Sequence, residues 1–346
     1  MPDENFAEPA VVAMLRGIMG DHVVALRADM DALPIRENSG VPFSSHHEGI
    51  MHACGHDAHV AMLLGAARLL QARQSELPGH VRLIFQSSEE KHPGGALALI
   101  EQGVLESPPV EAIFGQHVQT HIPVGKLGIM SGPFMAASDD FTIRIIGCSC
   151  HAAHPEQGID AIVIAAQVIL ALQSIVSRNT DPVQPIVLSV STIEGGKKTN
   201  IVADCVTMRG TLRTLSEEVR ARTKERMQHI VGAVAVGNGG EGEIDFEPGY
   251  PVVYNDPDLS AQVKASAAAV LGEKNVFAIA HPTMGGEDFS RYQQHCPGVY
   301  TNLGCGNAAA GISAPIHTEK FRIDLDCLPL GAALLAQQAW DYLCSL

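Results

Sequence analysis

Three short apolar runs in this chain each deliver the backbone straight into chemically reactive side chains. Residues 23–27 lead into Ala28-Asp29-Met30-Asp31, residues 81–85 into Gln86-Ser87-Ser88-Glu89-Glu90, and residues 112–114 into Gly115-Gln116-His117. Helical periodicity rich in Ala and Leu fills residues 60–71 between the first two runs and starts again at 96–100 before the third. Strands alternating with helices imply a mostly parallel sheet, an α/β layout whose ligands gather beyond the carboxyl ends of the strands. Asp29, Glu89, Glu90 and His117 all fall at such ends. Polar residues placed only for solubility would scatter to both edges, so this convergence points to a site.

From about Asp139 the rhythm changes. An alternating strand at 141–146, a helix at 160–177, strands across 186–193 and 200–212, a helix at 216–236 and a strand near 243–246 read as βαββαβ, the split-βαβ pattern of a small α+β domain. The first rhythm then resumes, with a helix at 259–271, a strand at 299–303 and a terminal helix at 328–343. At 346 residues the chain exceeds what one core usually supports. The expected organisation is a discontinuous larger domain, 1–135 with 247–346, carrying an inserted domain at 136–246.

Composition excludes several function classes. Hydrophobic residues at 46% and charged residues at 18% fit a packed globular protein rather than a disordered one. A net charge of −15 repels phosphate backbones and anionic lipid, and no Lys/Arg stripe stands against it, so no nucleic-acid or membrane partner is expected. The N-terminus lacks a signal peptide's basic start and apolar core, and no run of about 18 apolar residues follows, which reads as cytoplasmic. The eight cysteines lack the framework of a small secreted domain, so reduced thiols are expected. Cys148 and Cys150 could bind metal or form a redox pair, but buried thiol filler is the favoured reading.

Residues 52–57 read His-Ala-Cys-Gly-His-Asp. A thiolate and an imidazole two residues apart, with a glycine between them to let the backbone turn, can face one ion. The Glu pair downstream offers one carboxylate to bind metal and another to move a proton, the two parts that hydrolysis of an unreactive bond requires. Most of the 16 histidines should be surface or satisfied core residues, and His52 and His59 are read that way. Glu287 and Asp288 are read as structural, with Asp288 at a helix start. Gly94-Gly95 lacks the Lys-Ser/Thr ending of a phosphate loop and is read as a turn.

The strings ALRADMDALPI at 25–35 and MHACGHDAH at 51–59 resemble the M20 metallopeptidase family, and more narrowly its amidohydrolase branch of hippurate hydrolases, N-acyl-amino-acid deacylases and auxin-conjugate hydrolases. FQSSEE at 85–90, GQHV at 115–118, HAAHPEQGIDAI from His151, GGKKTNIVAD at 195–204, GTLRT at 210–214, MGGEDF at 284–289 and IHTEKF at 316–321 continue the series in order. The resemblance implies a zinc-exopeptidase-like catalytic domain with an inserted ferredoxin-like lid and dimerisation domain. It implies two divalent ions per chain held by Cys54, His56, Glu90, His117 and His317, with Glu89 as general base and Asp29 orienting a metal ligand. It also implies that His151 polarises the scissile carbonyl, in some relatives from the other subunit, and that Asn200 and Arg213 hold the substrate. Zinc suits the thiolate and imidazole, and the carboxylate admits manganese, cobalt or nickel. A homodimer or homotetramer through the lid domain is compatible with it.

The chain departs from the family pattern in three places. Relatives usually carry a further helical segment of several dozen residues before the counterpart of Val11 to Leu15, which is not found here. They tend to have Pro-Ala in place of Ser87-Ser88, beside the catalytic Glu, and glycine-rich residues in place of Cys148-Ser149-Cys150. The expected function is metal-dependent hydrolysis of an N-acyl amino acid to a carboxylic acid and a free amino acid. The rivals are a dipeptidase or aminopeptidase using the same site, and a non-catalytic binding or scaffold protein that keeps the fold.

Overall fold

The structure is a computed structural model and describes residues 10–18, 20–247 and 249–346. Its strands are β1 (Val11–Arg16), β2 (Val23–Asp29), β3 (His80–Gln86), β4 (Ala112–Pro123), β5 (Leu127–Ile129), β6 (Gly132–Met135), β7 (Ala137–Ile146), β8 (Ile186–Gly195), β9 (Cys205–Thr214), β10 (Glu241–Glu247), β11 (Val253–Asn255), β12 (Val276–Ala278) and β13 (Gly298–Gly306). The α-helices are α1 (His56–Ala72), α2 (Gly95–Glu101), α3 (Ala161–Arg178), α4 (Glu217–Gly237), α5 (Pro257–Leu271), α6 (Phe289–Tyr292) and α7 (Cys327–Cys344).

The chain divides into two compact units. The first runs to Phe134 and includes Val253–Pro282 and Glu287–Leu346; the second is Met135–Val252 with Thr283–Gly286. That last short segment joins the second unit through backbone: the Ala136 N–H is shared between the carbonyls of Thr283, at 3.1 Å, and Gly285, at 2.9 Å.

In the first unit a seven-stranded sheet has the order β1-β3-β2-β4-β13-β5-β12. Its pairs β3–β2, β2–β4 and β4–β13 are parallel, as the strand–helix alternation requires, while β1 on β3 and β5 on β13 run antiparallel. Every residue of β2 is buried, the pattern of a strand covered on both faces. Helices α1 and α7 pack on each other and on β2 and β4, and Met62, Leu63, Ala66, Leu334, Leu335 and Ala339 fill the core there. The neighbours β2 and β4 do not end together. Their pairing stops at Arg27 opposite Gly115, and β4 continues to Pro123. His117 therefore lies inside a twelve-residue strand, not at the end of a three-residue one as its sequence context suggested. The polar letters Gln116, Gln119, Thr120 and His121 hide that extension from a hydropathy reading.

The second unit is an antiparallel four-stranded sheet of order β10-β7-β9-β8, crossed by α3 and α4 in a βαββαβ sequence. Asp160 accepts from Ile162 N–H at the start of α3 and Ser216 from Val219 N–H at the start of α4, so both helices open on a side-chain cap. By length and composition α3 is apolar enough to cross a membrane, which the sequence reading did not anticipate. Its Ala161, Ile164, Val168, Leu172 and Ile175 are buried with Phe141, Ile143, Met208 and Leu212 of the sheet, while Ile162, Val163 and Leu170 are exposed.

Candidate metal centre

The loop that leaves residue 51 turns sharply at Gly55, whose φ of 85° is left-handed and favours glycine. A side chain there would also meet Val118 Cγ2 at 2.5 Å. Immediately after this turn α1 begins at His56, so Cys54 and His56 stand at the mouth of the helix. Cys54 Sγ lies 3.2 Å from Nε2 of His117 and 3.3 Å from Nε2 of His317. His317 reaches it from a turn with φ 62°, an uncommon conformation for a non-glycine residue, and its N–H donates to the Ala53 carbonyl at 2.8 Å. Glu90 Oε1 is 3.0 Å from His317 Nε2 and 4.0 Å from His56 Nε2.

These contacts form two triads that meet at one atom. The ligand atoms of Cys54, His56 and His117 lie within 4.8 Å of one another, and so do those of Cys54, Glu90 and His317. The fit to metal is chemical as well as spatial. Nε2 of His56 is buried without a hydrogen-bond partner among the described residues and faces Glu90 Oε1 across a gap of 4.0 Å, which is costly for two buried polar groups held that far apart. Thiolate, imidazole and carboxylate donors converging on that gap suit divalent ions.

Charge explains why the site would not rest comfortably without a cation. Burial opposes a charge on His56, but Asp29, Asp31 and Glu90 outweigh it and raise its pKa to about 9. Burial pushes His117 down to about 4. Burial, with Glu90 and Asp29, drives the Cys54 thiol far above its ordinary value, so thiolate there needs a compensating positive charge. Glu89 is buried and also held above the usual carboxylate range, first by burial and then by Glu287 and Asp288. Ser88, the residue before it, has φ 59°, and its carbonyl accepts from Gly95 N–H at 3.1 Å, which sets the turn that separates Glu89 from Glu90.

Beneath the triads lies a charged cluster that sequence reasoning largely missed. Arg27, fully buried in β2, donates to Asp29 Oδ2 at 2.7 Å, Asp288 Oδ1 at 2.7 Å and Gln86 Oε1 at 3.0 Å, and pairs with Glu287 Oε1 at 3.1 Å. Its presence inside an otherwise apolar strand was the available signal, since a buried arginine demands partners. Glu287 also accepts from Tyr300 Oη–H at 2.8 Å, and Asp288 from Ala96 N–H at 3.0 Å and Gln86 Nε2 at 2.6 Å. Asp288 stands at the start of α6 but makes no side-chain cap there. Oxygens of Glu89, Glu287 and Asp288 come within 4.8 Å of one another.

Asp29 Oδ2 is 3.8 Å from His56 Nε2, beyond hydrogen-bond reach. The nearer carboxylate is Asp31, with Oδ1 3.3 Å from His56 Nδ1 and Oδ2 accepting from Glu90 N–H at 2.8 Å. Asp31 sits two residues past Asp29 in the same motif, and the sequence offered no means of ranking the two.

In the second unit, Ala152 N–H donates to the Asn200 carbonyl at 3.0 Å and His151 bridges Ile201, so His151 and Asn200 are neighbours. Arg213 is not with them. It pairs with Ser138 and Val187, eight residues along β9 from Cys205, a span of about 26 Å at the usual strand rise. Its Nε donates to Thr211 Oγ1 at 3.0 Å.

The model of peptidase family M20/M25/M40 matches residues 25–341. Thermostable carboxypeptidase 2 of Saccharolobus solfataricus is 43% identical over 94% of this chain and 83% of its own length. N-acetylcysteine deacetylase of Bacillus subtilis is 40% identical over 95% of this chain and 84% of its own. Among solved structures, the YXEP protein of Bacillus subtilis, described as a dinuclear metal binding peptidase, superposes with a TM-score of 0.85 at 36% identity, covering 97% of this chain and 86% of that one.

Proposed function

The chain belongs to peptidase family M20/M25/M40 and is a hydrolase of amide bonds; from that premise we propose that it cleaves N-acyl amino acids to a carboxylic acid and a free amino acid. The reading is carried by two ligand triads sharing Cys54 with a buried Glu89 beside them. Cys54, His56 and His117 would hold one ion and Cys54, Glu90 and His317 a second, and the likeness to a dinuclear relative supports two. Bound divalent ions, with zinc, manganese, cobalt and nickel all compatible with these donors, would polarise the amide carbonyl and acidify water.

The chain's own groups do the rest. Glu89 takes the proton of the attacking water and returns it to the leaving nitrogen, a double duty open to a buried carboxylate grouped with the ligands His56 and Glu90. His151 Nδ1 accepts from Ala153 N–H at 3.1 Å, which leaves the neutral ring's proton on Nε2 as a donor for the carbonyl oxygen as charge develops there. Asn200 joins it, and Arg213 offers its guanidinium to the substrate carboxylate. One copy of the second unit cannot set both ends of its sheet on one small substrate, so we assign His151 with Asn200 and Arg213 to two copies of the chain, a homodimer at least.

The test is a substrate panel on the metal-reconstituted protein: acetyl-, benzoyl- and indolyl-amino acids, their C-terminal amides, and free-amine dipeptides. Acylated acids should exceed their amides by a margin worth about 2 to 5 kcal/mol in kcat/KM, and Arg213→Ala should erase most of it. Preference for free-amine dipeptides would replace this reading by the peptidase one, and no turnover at full metal load by a binding protein.

A further inference from the structure

We propose that His59 is a positioning residue for His117, through a chain of hydrogen bonds that starts at Asp29. The inference rests on the metal reading above and concerns how one of its ligands is held. Because β2 stops at Asp29 while β4 runs on, the Val118 N–H loses the strand partner it would otherwise have had. His59, buried on the first turn of α1, fills the gap: its Nε2 accepts from Val118 N–H at 3.0 Å. An acceptor at Nε2 in a neutral ring puts the proton on Nδ1, and Nδ1 points at Asp29 Oδ1, 2.5 Å away. Arg27 holds the other oxygen of Asp29.

The chain continues on the far side of the same residue. The Val118 carbonyl accepts from Nδ1 of His117 at 2.7 Å, which leaves Nε2 of His117 facing Cys54 Sγ. Asp29 thus sets the proton position of His59, His59 holds the Val118 backbone in place, and the Val118 carbonyl sets the proton position of His117. Ligating imidazoles commonly owe their orientation to such a bond at the second nitrogen. The arrangement also removes His59 as a ligand, although it clusters with Asp29 and His56, because both of its nitrogens are engaged. Asp29 then orients a ligand through an intermediary, and the ligand is His117 rather than His56.

Two measurements on the full chain test this. Long-range proton–nitrogen NMR of the metal-free protein, with the His59 signals assigned by their loss in His59→Gln, should show a neutral ring protonated at Nδ1; protonation at Nε2 alone overturns the proposal. Cobalt titration follows the thiolate-to-cobalt absorption for Cys54 and the d–d bands for geometry, with chelator competition for affinity. His59→Phe fills the space without either bond and should weaken cobalt binding by about 10- to 100-fold and shift the d–d bands. His59→Gln, whose amide oxygen can accept from Val118 N–H, should recover most of the affinity. Wild-type affinity and bands in His59→Phe would refute the positioning role, and should that variant not fold, the wild-type tautomer and the Gln variant still decide it. Absence of a thiolate-to-cobalt band in the wild type would instead overturn the metal reading itself.

Discussion

Arg27→Met should disturb this structure more than any other single change outside the ligands. The guanidinium is fully buried and is the cation nearest to Asp29, Glu287 and Asp288 alike. Methionine replaces much of the aliphatic volume but takes the guanidinium from Glu287, from Asp288, which burial already raises to about 7, and from Asp29, which keeps His56. Breaking a buried ion pair by removing one partner costs about 3–5 kcal/mol. The carboxylates keep other donors, from His59, Tyr300 and Gln86 among them, so we take that range for the whole cluster rather than for each pair. For a unit of this size 1 kcal/mol moves Tm by about 2–4 °C, so the first unit's calorimetric transition should fall by roughly 6–20 °C. Adding Asp288→Asn removes one stranded charge at a pH well above the value of about 7 to which burial raises Asp288, and should return part of the loss there. A fall of less than about 2 °C, or a further fall in the double variant, would refute the electrostatic account, since it would mean that the carboxylates are neutral or solvated without Arg27.

Four further outcomes follow from the site. Glu89→Gln should keep metal content while lowering turnover on the order of 100-fold or more, whereas Glu90→Gln should lose metal too; equal metal loss in both, by elemental analysis, removes the division of labour. Metal binding must expel protons from His56, held near pKa about 9, and from the raised Cys54 thiol, so affinity rises with pH. With both groups protonated below that value, affinity should tighten about 100-fold per pH unit between roughly pH 6 and 8, and a pH-independent chelator competition would contradict it. For the metal-free protein the sign reverses: the contribution of charged His56 to stability is full below its unfolded pKa and lost as pH rises through about 9. Iodoacetamide should leave Cys54 unmodified with metal bound and modify it only sluggishly after chelation, because the freed thiol is buried and held far above its ordinary pKa; ready alkylation of Cys54 in the metal-loaded protein, read by mass mapping, counts against coordination.

Much of this molecule is legible in the letters alone. The strand–helix alternation, the βαββαβ interruption and the pairing of Cys-Gly-His with adjacent glutamates are local patterns, set by backbone periodicity and by chemistry that needs those residue types close in sequence. Arg27 and Asp288 are 261 positions apart, and no periodicity links them. Only the folded sheet decided that Cys54 stands where two triads meet, that Asp31 rather than Asp29 is the carboxylate nearest a nitrogen of His56, and that Arg213 lies at the other end of β9 from His151. The physical reason lies in the hydrogen bonds. Where β2 stops short of β4, the backbone leaves a donor without a partner, and burial obliges side chains from distant segments to complete it. That obligation arises only when the strands are side by side, so His59 and Arg27 acquire their roles from tertiary structure while the reactive residues they support were visible beforehand.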